Sequence, residues 1–444
     1  MVGKMKNFAI FFLFVISLFI HPACLKSEQN GIIGCFYFQT HQIDATELNI
    51  TYARAVIPWG AVQPEEDYFN WNAKPLRKID YILKKGIKVI PVVRSVGAEW
   101  ALKYPGRKSS SPPKDLTDSF DEKYGYSRTY YNFVHEVTKR YKGKFPIVVV
   151  ENEVTARCFW LGTMEEYLKL VITAKKALKD VDSQIKVADS GVASLCWGIL
   201  MIDEMVKKGK EKEAFNFYKS YFSQAYGKKI HSVKELKYFL KSKTAREHIK
   251  KLEYLLPRLR NTVDILNFHY YENSSLFPQL ISFIRKKMGN IPLMNNELGV
   301  RIKSGVHERR KKASEELIKK LVFSIAFDLK AVMVFPFTNE EHNIIGLGDE
   351  KKMAIDEMMN SFKISLKFLN HKLISYENLS ENNLQNHLFR FKSQIVRVLW
   401  GEEGNTEEVK IPENYRAYDY QGKEIKESYV VISSSPIFMV KTMN

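Results

Sequence analysis

The chain has 444 residues, 45% hydrophobic and 27% charged, an ordinary globular composition with room for a full barrel and a smaller second domain. The four cysteines are too few for a disulfide scaffold in a chain this long, and they show no metal-ligand spacing. A formal charge of +18 arises in Lys-rich stretches such as 207–212 and 309–312 that mix with acids and read as solvated helix faces; no nucleic-acid module accompanies them, so no nucleic-acid partner is expected.

Lys4 and Lys6 precede an apolar segment over 8–20 that ends in Pro22-Ala23-Cys24. This pattern over residues 1–24 reads as an export signal, too short for a confident membrane span. Ala23 suits the position before a lipid-attachment cysteine, which would make Cys24 a membrane tether. His21, where such signals usually carry Leu, favours plain secretion, and both readings stay open. Either one places the mature chain outside the cytoplasm, on the cell surface or in the periplasm.

The folded part opens with apolar runs at 32–39 and 52–57, read as the first two strands. Helical spacing over 71–85 leads to a third strand at 87–93. The segment 103–127 is rich in Pro, Ser and Lys and reads as a loop; because it follows a strand and precedes a helix at 129–141, it is expected on the rim above the strand ends. A fourth strand spans 147–150, a helix 165–178 and a fifth strand 185–189. Residues 195–262 are too many for one crossover and read as the fifth barrel helix plus an inserted helical excursion. A sixth strand at 263–268, a seventh at 291–295, a helix at 314–329, an eighth strand at 331–335 and a last helix at 353–369 complete the series. Alternating strands and helices of this number make a (β/α)8 TIM barrel over residues 30–370 the economical fold. From 388 onward short β-type runs at 395–400, 408–411 and 429–432 lie between Gly, Asn and Pro turns, and residues 371–444 read as a small C-terminal antiparallel β-sandwich packed on the barrel.

Two carboxylates stand out against this frame. Glu153 follows the buried run of the fourth strand and Glu297 that of the seventh, so both fall at carboxyl ends of strands, where an α/β barrel builds its active site. A pair of carboxylates about 5 Å apart is the requirement of retaining glycoside hydrolysis, one group acting as acid and the other as nucleophile.

The order of motifs resembles that of the clan A glycoside hydrolases, from about Gly34 to the C-terminus. Arg54-Ala-Val-Ile-Pro-Trp59, Gln63-Pro-Glu65 and Tyr68-Phe-Asn-Trp71 resemble the clan's arginine strand, its turn and the start of its second helix. Glu151-Asn152-Glu153 is similar to the acid/base motif, Phe268-His269-Tyr270 to the sixth-strand motif and Asn296-Glu297-Leu-Gly299 to the nucleophile segment. Val398-Leu-Trp400, Tyr418-Asp419, Gly422 and Ser435-Pro436 resemble the sandwich that often follows such barrels. Val154 stands where many members have Pro, and Val334-Phe-Pro-Phe337 lacks the Trp that many carry beneath the substrate; Phe335 or Phe337 is a substitute ring.

The resemblance implies a retaining O-glycosidase acting on a polysaccharide or oligosaccharide, with Glu153 as acid/base and Glu297 as nucleophile. A protonated Glu153 requires a raised pKa, and an ionised Glu297 a nearby cation such as Arg54. Asn152 is placed to bind the sugar 2-hydroxyl, and His269 with Tyr270 or Tyr271 to orient nucleophile or sugar. Trp100, Trp160 and Trp197 follow strands three, four and five and are candidate stacking platforms or loop packing. Glu151 reads as a structural partner. No cofactor is required, and no metal site is expected, since neither a His-x-His pair after strand one nor a His-Glu-x-x-His helix occurs. The alternative is a non-catalytic carbohydrate-binding surface protein on the same barrel.

Overall fold

The computed structural model describes residues 31–39, 44–223, 229–301, 306–335, 344–345, 357–402 and 404–443. The export-type segment, Cys24 and Phe337 lie outside them. Eight short strands, Ile33–Phe36, Tyr52–Pro58, Lys88–Arg94, Ile147–Val150, Lys186–Ala188, Leu266–Tyr270, Leu293–Leu298 and Val332–Val334, run parallel in one sheet. Parallel ladders join strands one to five in order, and six to seven, seven to eight and eight back to one, with register shifts where strand seven pairs on either side. Between the fifth and sixth strands only the bridges Ala188 to Ile265 and Val192 to Phe268 close the ring. The result is the expected barrel.

Strand alternation sorts the side chains into two layers. Inward-facing Ile90, Val92, Ile147, Val149, Ala188, Ile265, Met294, Ala331 and Met333 fill the barrel as one buried cluster. Outward-facing residues join the helices in a second, larger core. Burial on both faces explains why these strands read as continuous apolar runs.

The helices of the outer ring begin where a polar side chain can take up free N–H groups. Ser127 caps Arg128–Arg140, and Thr163 with Glu166 forms a capping box on Met164–Val181. The 195–262 stretch resolves into Ser194–Lys207, Glu211–Tyr221, Val233–Lys241 and Lys243–Thr262. Only the last, capped by Ser242, packs against both Met164–Val181 and Phe277–Met288 and so fills the fifth place in the ring; the other three form the excursion. Phe277–Met288, between strands six and seven, was not foreseen, although Pro278 in its first turn suits a helix start. Between the first two strands the described residues hold only the 3-10 turn Ala45–Glu47.

The loop over 103–127 packs on the ends of strands three and four, where Ser111 N–H donates to the Ser95 carbonyl at 2.9 Å and Ser110 bridges to Trp160. The C-terminal part begins with Leu373–Asn378, within the expected 371–444 span but ahead of the β-type runs read from 388 onward, and forms a six-stranded antiparallel sheet. One face of that sheet, with Phe389, Val396, Val398, Phe438 and Val440, merges into the barrel's outer core. The other, with Leu399, Ala417, Ile437 and Met439, closes on Val430 and Ile432 of a two-stranded ribbon.

Candidate active site

The fourth strand is buried along its length and ends at Val150. The chain then turns through two non-glycine residues in the left-handed region, Glu151 at φ +70° and Glu153 at φ +42°. Such a backbone persists only where its surroundings over-determine it. Here the fully buried Glu151 carboxylate accepts the Ser95 amide at 2.6 Å and the Ser95 hydroxyl at 2.7 Å, while Glu151 N–H donates to Val93 and Glu153 N–H to Ser190. Burial pushes the Glu151 carboxyl up, against the opposing pull of Arg94. Glu151 is therefore an anchor of the turn, and the turn carries Asn152 and Glu153 inward.

Glu153 and Glu297 each leave 15% of their side-chain surface exposed. An oxygen of each and a ring nitrogen of His269 all lie within 4.8 Å of one another. Arg54, on the second strand, donates Nη1 to Glu297 Oε2 at 2.7 Å and to the Asn296 carbonyl at 2.9 Å, and Nη2 to Asn152 Oδ1 at 2.7 Å. Its guanidinium lies 4.1 Å from the Phe36 ring centroid. Tyr271 donates its hydroxyl to Glu297 Oε1 at 2.5 Å. Burial alone would raise the Glu297 carboxyl, but His269, Arg54 and the Tyr271 hydroxyl together hold it below its ordinary value. Both of its oxygens are thus engaged by donors that favour the carboxylate form.

His269 sits fully buried between the two carboxylates, with Nδ1 2.7 Å from Glu153 Oε1 and 3.8 Å from Glu297 Oε2. Its Nε2 is 2.7 Å from Asn296 Oδ1, an oxygen that also accepts the Asn267 amide at 2.8 Å. With that oxygen acting as acceptor, Nε2 must carry a proton. One further proton is then shared across the short contact between His269 Nδ1 and Glu153 Oε1. Burial disfavours the imidazolium, yet the charges of Glu297 and Glu153 outweigh it and raise the pKa of His269. Beneath this layer, buried Asp189 accepts the Asn267 amide at 2.6 Å and, with its carboxyl pushed up to about 7 by burial, completes the polar floor.

Of the residues marked in the sequence, Glu153, Glu297, Arg54, Asn152 and His269 come together here. Tyr270 does not. On the sixth strand Asn267 and His269 face inward, so Leu266, Phe268 and Tyr270 point to the helices; Tyr270 packs on Phe277 and donates its hydroxyl to the Asn273 carbonyl at 2.7 Å. Tyr271, the alternative to Tyr270 in the sequence, is the one that reaches Glu297. Trp160 is 2% exposed, packed on Tyr167 with its indole N–H on the Thr163 carbonyl, and Trp197 is fully buried; neither offers a ring face to a sugar. Trp100 is half-buried, edge-on to Trp59, and donates to the Gln63 carbonyl. Phe335 stands edge-on to Phe36 and Tyr271, bordering the Arg54 side of the site.

Sequence reasoning gave no role to Asn296, Asn267, Asp189 or two glycines, although Asn296 and Gly299 stand in the quoted segment around Glu297. At Gly191, with φ +80°, an added Cβ would lie 2.2 Å from His269 Nε2; at Gly299 it would lie 2.2 Å from Tyr271 Cε1. Both glycines clear the space for a ring that touches a carboxylate. The cluster of Glu153, His269 and Glu297 brings three possible metal-ligand atoms together, but the charge that neutralises Glu297 in this arrangement is supplied by Arg54. As a chemical device the site offers one ionised carboxylate, one carboxyl paired with a proton-holding imidazole, and a short gap between them.

No family model and no curated protein matches the sequence. Solved structures do match the fold. A family 39 glycoside hydrolase from the gut symbiont Bacteroides cellulosilyticus WH2 superposes with a TM-score of 0.61 at 15% identity, over 93% of this chain and 81% of that one. A glucosidase from Croceicoccus marinus gives 0.59 at 11% identity over 95% and 97%, and a family 39 β-xylosidase from Caulobacter crescentus 0.54 at 12% over 94% and 98%. These likenesses establish the architecture, a barrel with an appended β-sheet of the kind found in glycoside hydrolases.

Proposed function

We propose that this chain hydrolyses O-glycosidic bonds with retention of anomeric configuration, Glu297 acting as nucleophile and Glu153 as acid/base. The observation that carries the reading is the gap between the two carboxylates, within 4.8 Å for the nearest oxygens. Retaining enzymes need about 5 to 5.5 Å, whereas inverting ones need about 6.5 to 9.5 Å to admit a water. Glu297, ionised beside Arg54 and oriented by Tyr271, attacks the anomeric carbon. Glu153 passes its proton to the departing oxygen as the glycosyl-enzyme forms. In the second half, Glu153 takes a proton from the incoming water, which attacks the same carbon and releases Glu297. His269 Nδ1, 2.7 Å from Glu153 Oε1, shares this proton before it leaves and again after the water returns one, while its Nε2–H stays on Asn296 Oδ1. Asn152, its Oδ1 held by Arg54, keeps its amide N–H groups to donate to the sugar 2-hydroxyl, a contact that strengthens as positive charge builds on the ring.

The export-type residues 1–24 support a glycan outside the cytoplasm as substrate. Glucosides and xylosides are the first sugars to test, because the structural neighbours include a glucosidase and a β-xylosidase. A panel of 2,4-dinitrophenyl glycosides, followed by proton NMR of the first-formed sugar anomer, checks the reading. Product of the same configuration as the substrate is expected. Inverted product, or turnover that survives Glu297→Ala unchanged, contradicts it.

A further inference from the structure

Three of the four helices in the 194–262 stretch stand outside the barrel ring, but the fourth, Lys243–Thr262, touches the strained turn that carries Glu153. Its Lys251 donates Nζ to the Thr155 carbonyl at 2.8 Å. One turn earlier, His248 Nδ1 lies 3.4 Å from the Sγ of buried Cys196, and that sulfur lies 3.4 Å from the Thr155 hydroxyl. Lys251 and His248 are three apart and share a helix face, so this face meets Thr155 directly through Lys251 and indirectly through Cys196 of the helix Ser194–Lys207.

The contact matters because of what Thr155 follows. Glu153 sits at φ +42° in a segment that belongs to no helix or strand, and no ladder holds it there. From the barrel side the turn is tied by Glu153 N–H to the Ser190 carbonyl and by Glu151 to Ser95. From the outer ring, Lys251 is the charged donor that meets it. Lys251 is half-buried and its ammonium is pulled down by burial, so this donor is placed in a poorly hydrated spot where a carbonyl would otherwise lack a partner. Val154 and Thr155, 1% and 2% exposed, are pinned between these two sets of ties.

We propose that Lys251 is a positioning residue for proton donation: through the Thr155 carbonyl it holds the turn so that the Glu153 carboxyl meets the departing oxygen. The proposal rests on the reading of Glu153 as the acid. It assigns a catalytic purpose to a ring helix that reaches the site through no side chain of its own. Proton donation contributes about 10² to 10⁴ in rate, and a displacement near 1 Å can cost about 10². The loss must therefore depend on how much the leaving group needs a proton.

The test compares kcat/KM, which reports glycosylation alone, for Lys251→Met, Lys251→Arg and Glu153→Gln on a 2,4-dinitrophenyl glycoside and on an alkyl or unsubstituted phenyl glycoside of the same sugar. Lys251→Met should lose about 10- to 100-fold on the poor leaving group and stay within about twofold on the activated one. Lys251→Arg, which restores a charged donor, should recover most of the loss. Amide hydrogen exchange in Lys251→Met should speed up at residues 153–157 while the barrel strands keep their protection. Equal losses on both leaving groups, no loss on either, or unchanged exchange in the turn overturns the proposal. Glu153→Gln separates the two failures: if it shows no leaving-group split, the acid assignment falls and the proposal with it; if it shows the split and Lys251→Met does not, only the role of Lys251 falls.

Discussion

Replacing Arg54 with Met removes a buried cation while keeping a side chain of similar length against Phe36. The guanidinium meets Glu297 Oε2 at 2.7 Å, where two unit charges at an effective dielectric near 20 attract by about 6 kcal/mol. Desolvation offsets part of that, and breaking a buried pair by removing one partner typically costs about 3 to 5 kcal/mol. Tyr271 and His269 still support the carboxylate, so the lower figure applies to the ionised form of Glu297. A loss of about 3 kcal/mol corresponds to roughly two decades in kcat/KM. The sign in pH follows from the causes acting on Glu297: burial raises its carboxyl and the neighbouring donors lower it. Without Arg54 the balance moves toward burial, Glu297 stays protonated to higher pH, and the acid limb of kcat/KM moves upward. The deficit should be deepest at low pH and shrink as the pH rises. The assay is kcat/KM on an activated aryl glycoside between about pH 4 and 9, where the leaving group needs no proton and Glu153 does not mask the effect. A loss of the same size at every pH, with the acid limb unmoved, would refute the electrostatic role and leave Arg54 a packing residue.

Glu153→Ala should still release a dinitrophenyl group but lose about 10² to 10⁴ on poor leaving groups, and azide should restore turnover with retained configuration. Glu297→Ala should be inactive on both classes and be rescued by azide with inversion; loss of activity alike in the two variants, with no rescue in either, would undo the assignment. Tyr271→Phe, which strips a 2.5 Å hydrogen bond from Glu297, should lower kcat/KM about tenfold or more, whereas Tyr270→Phe should change stability rather than rate; the reverse order would contradict the geometry. Lys320 is fully buried, donates to the Tyr271 and Gly299 carbonyls, and is pulled down by burial from 10.5 to about 8. Between those values the unfolded chain binds more protons than the folded one, so stability rises with pH through this window. Relative to Lys320→Met, urea unfolding should show the wild type gaining on the order of 3 kcal/mol between about pH 7 and 10.5, and parallel stabilities in the two proteins would count against it.

The architecture was legible because a parallel barrel buries its strands on both faces, leaving runs such as Ile147 to Val150 unbroken by polar residues. The fourth strand was read to its observed limits for that reason. The helix Phe277–Met288 was passed over although polar residues 272–275 set it off from the sixth strand and Pro278 lies in its first turn. Within the site, Glu153, Glu297, Asn152 and His269 were visible as polar groups near strand ends, and Arg54 as a lone cation inside the apolar second strand. Of the two tyrosines left open, Tyr270 shares the outward parity of Phe268, whereas Tyr271 continues the inward parity of Asn267 and His269. Trp160 looked like a platform because position after a strand says nothing about which way a ring turns; its indole N–H found the Thr163 carbonyl and its ring found Tyr167. The roles of Asn296, Asn267 and Asp189 were not legible for a different cause: they lie in hydrogen bonds across 29 and 78 residues of chain, which no local pattern encodes.

The most direct measurement is covalent trapping. A 2,4-dinitrophenyl 2-deoxy-2-fluoro glycoside of the sugar identified in the panel should inactivate the protein, add one glycosyl mass, and leave that mass on the peptide bearing Glu297 after proteolysis. A label on Glu153 or elsewhere, or inactivation with no covalent mass while the parent glycoside is hydrolysed with inversion, would contradict the account.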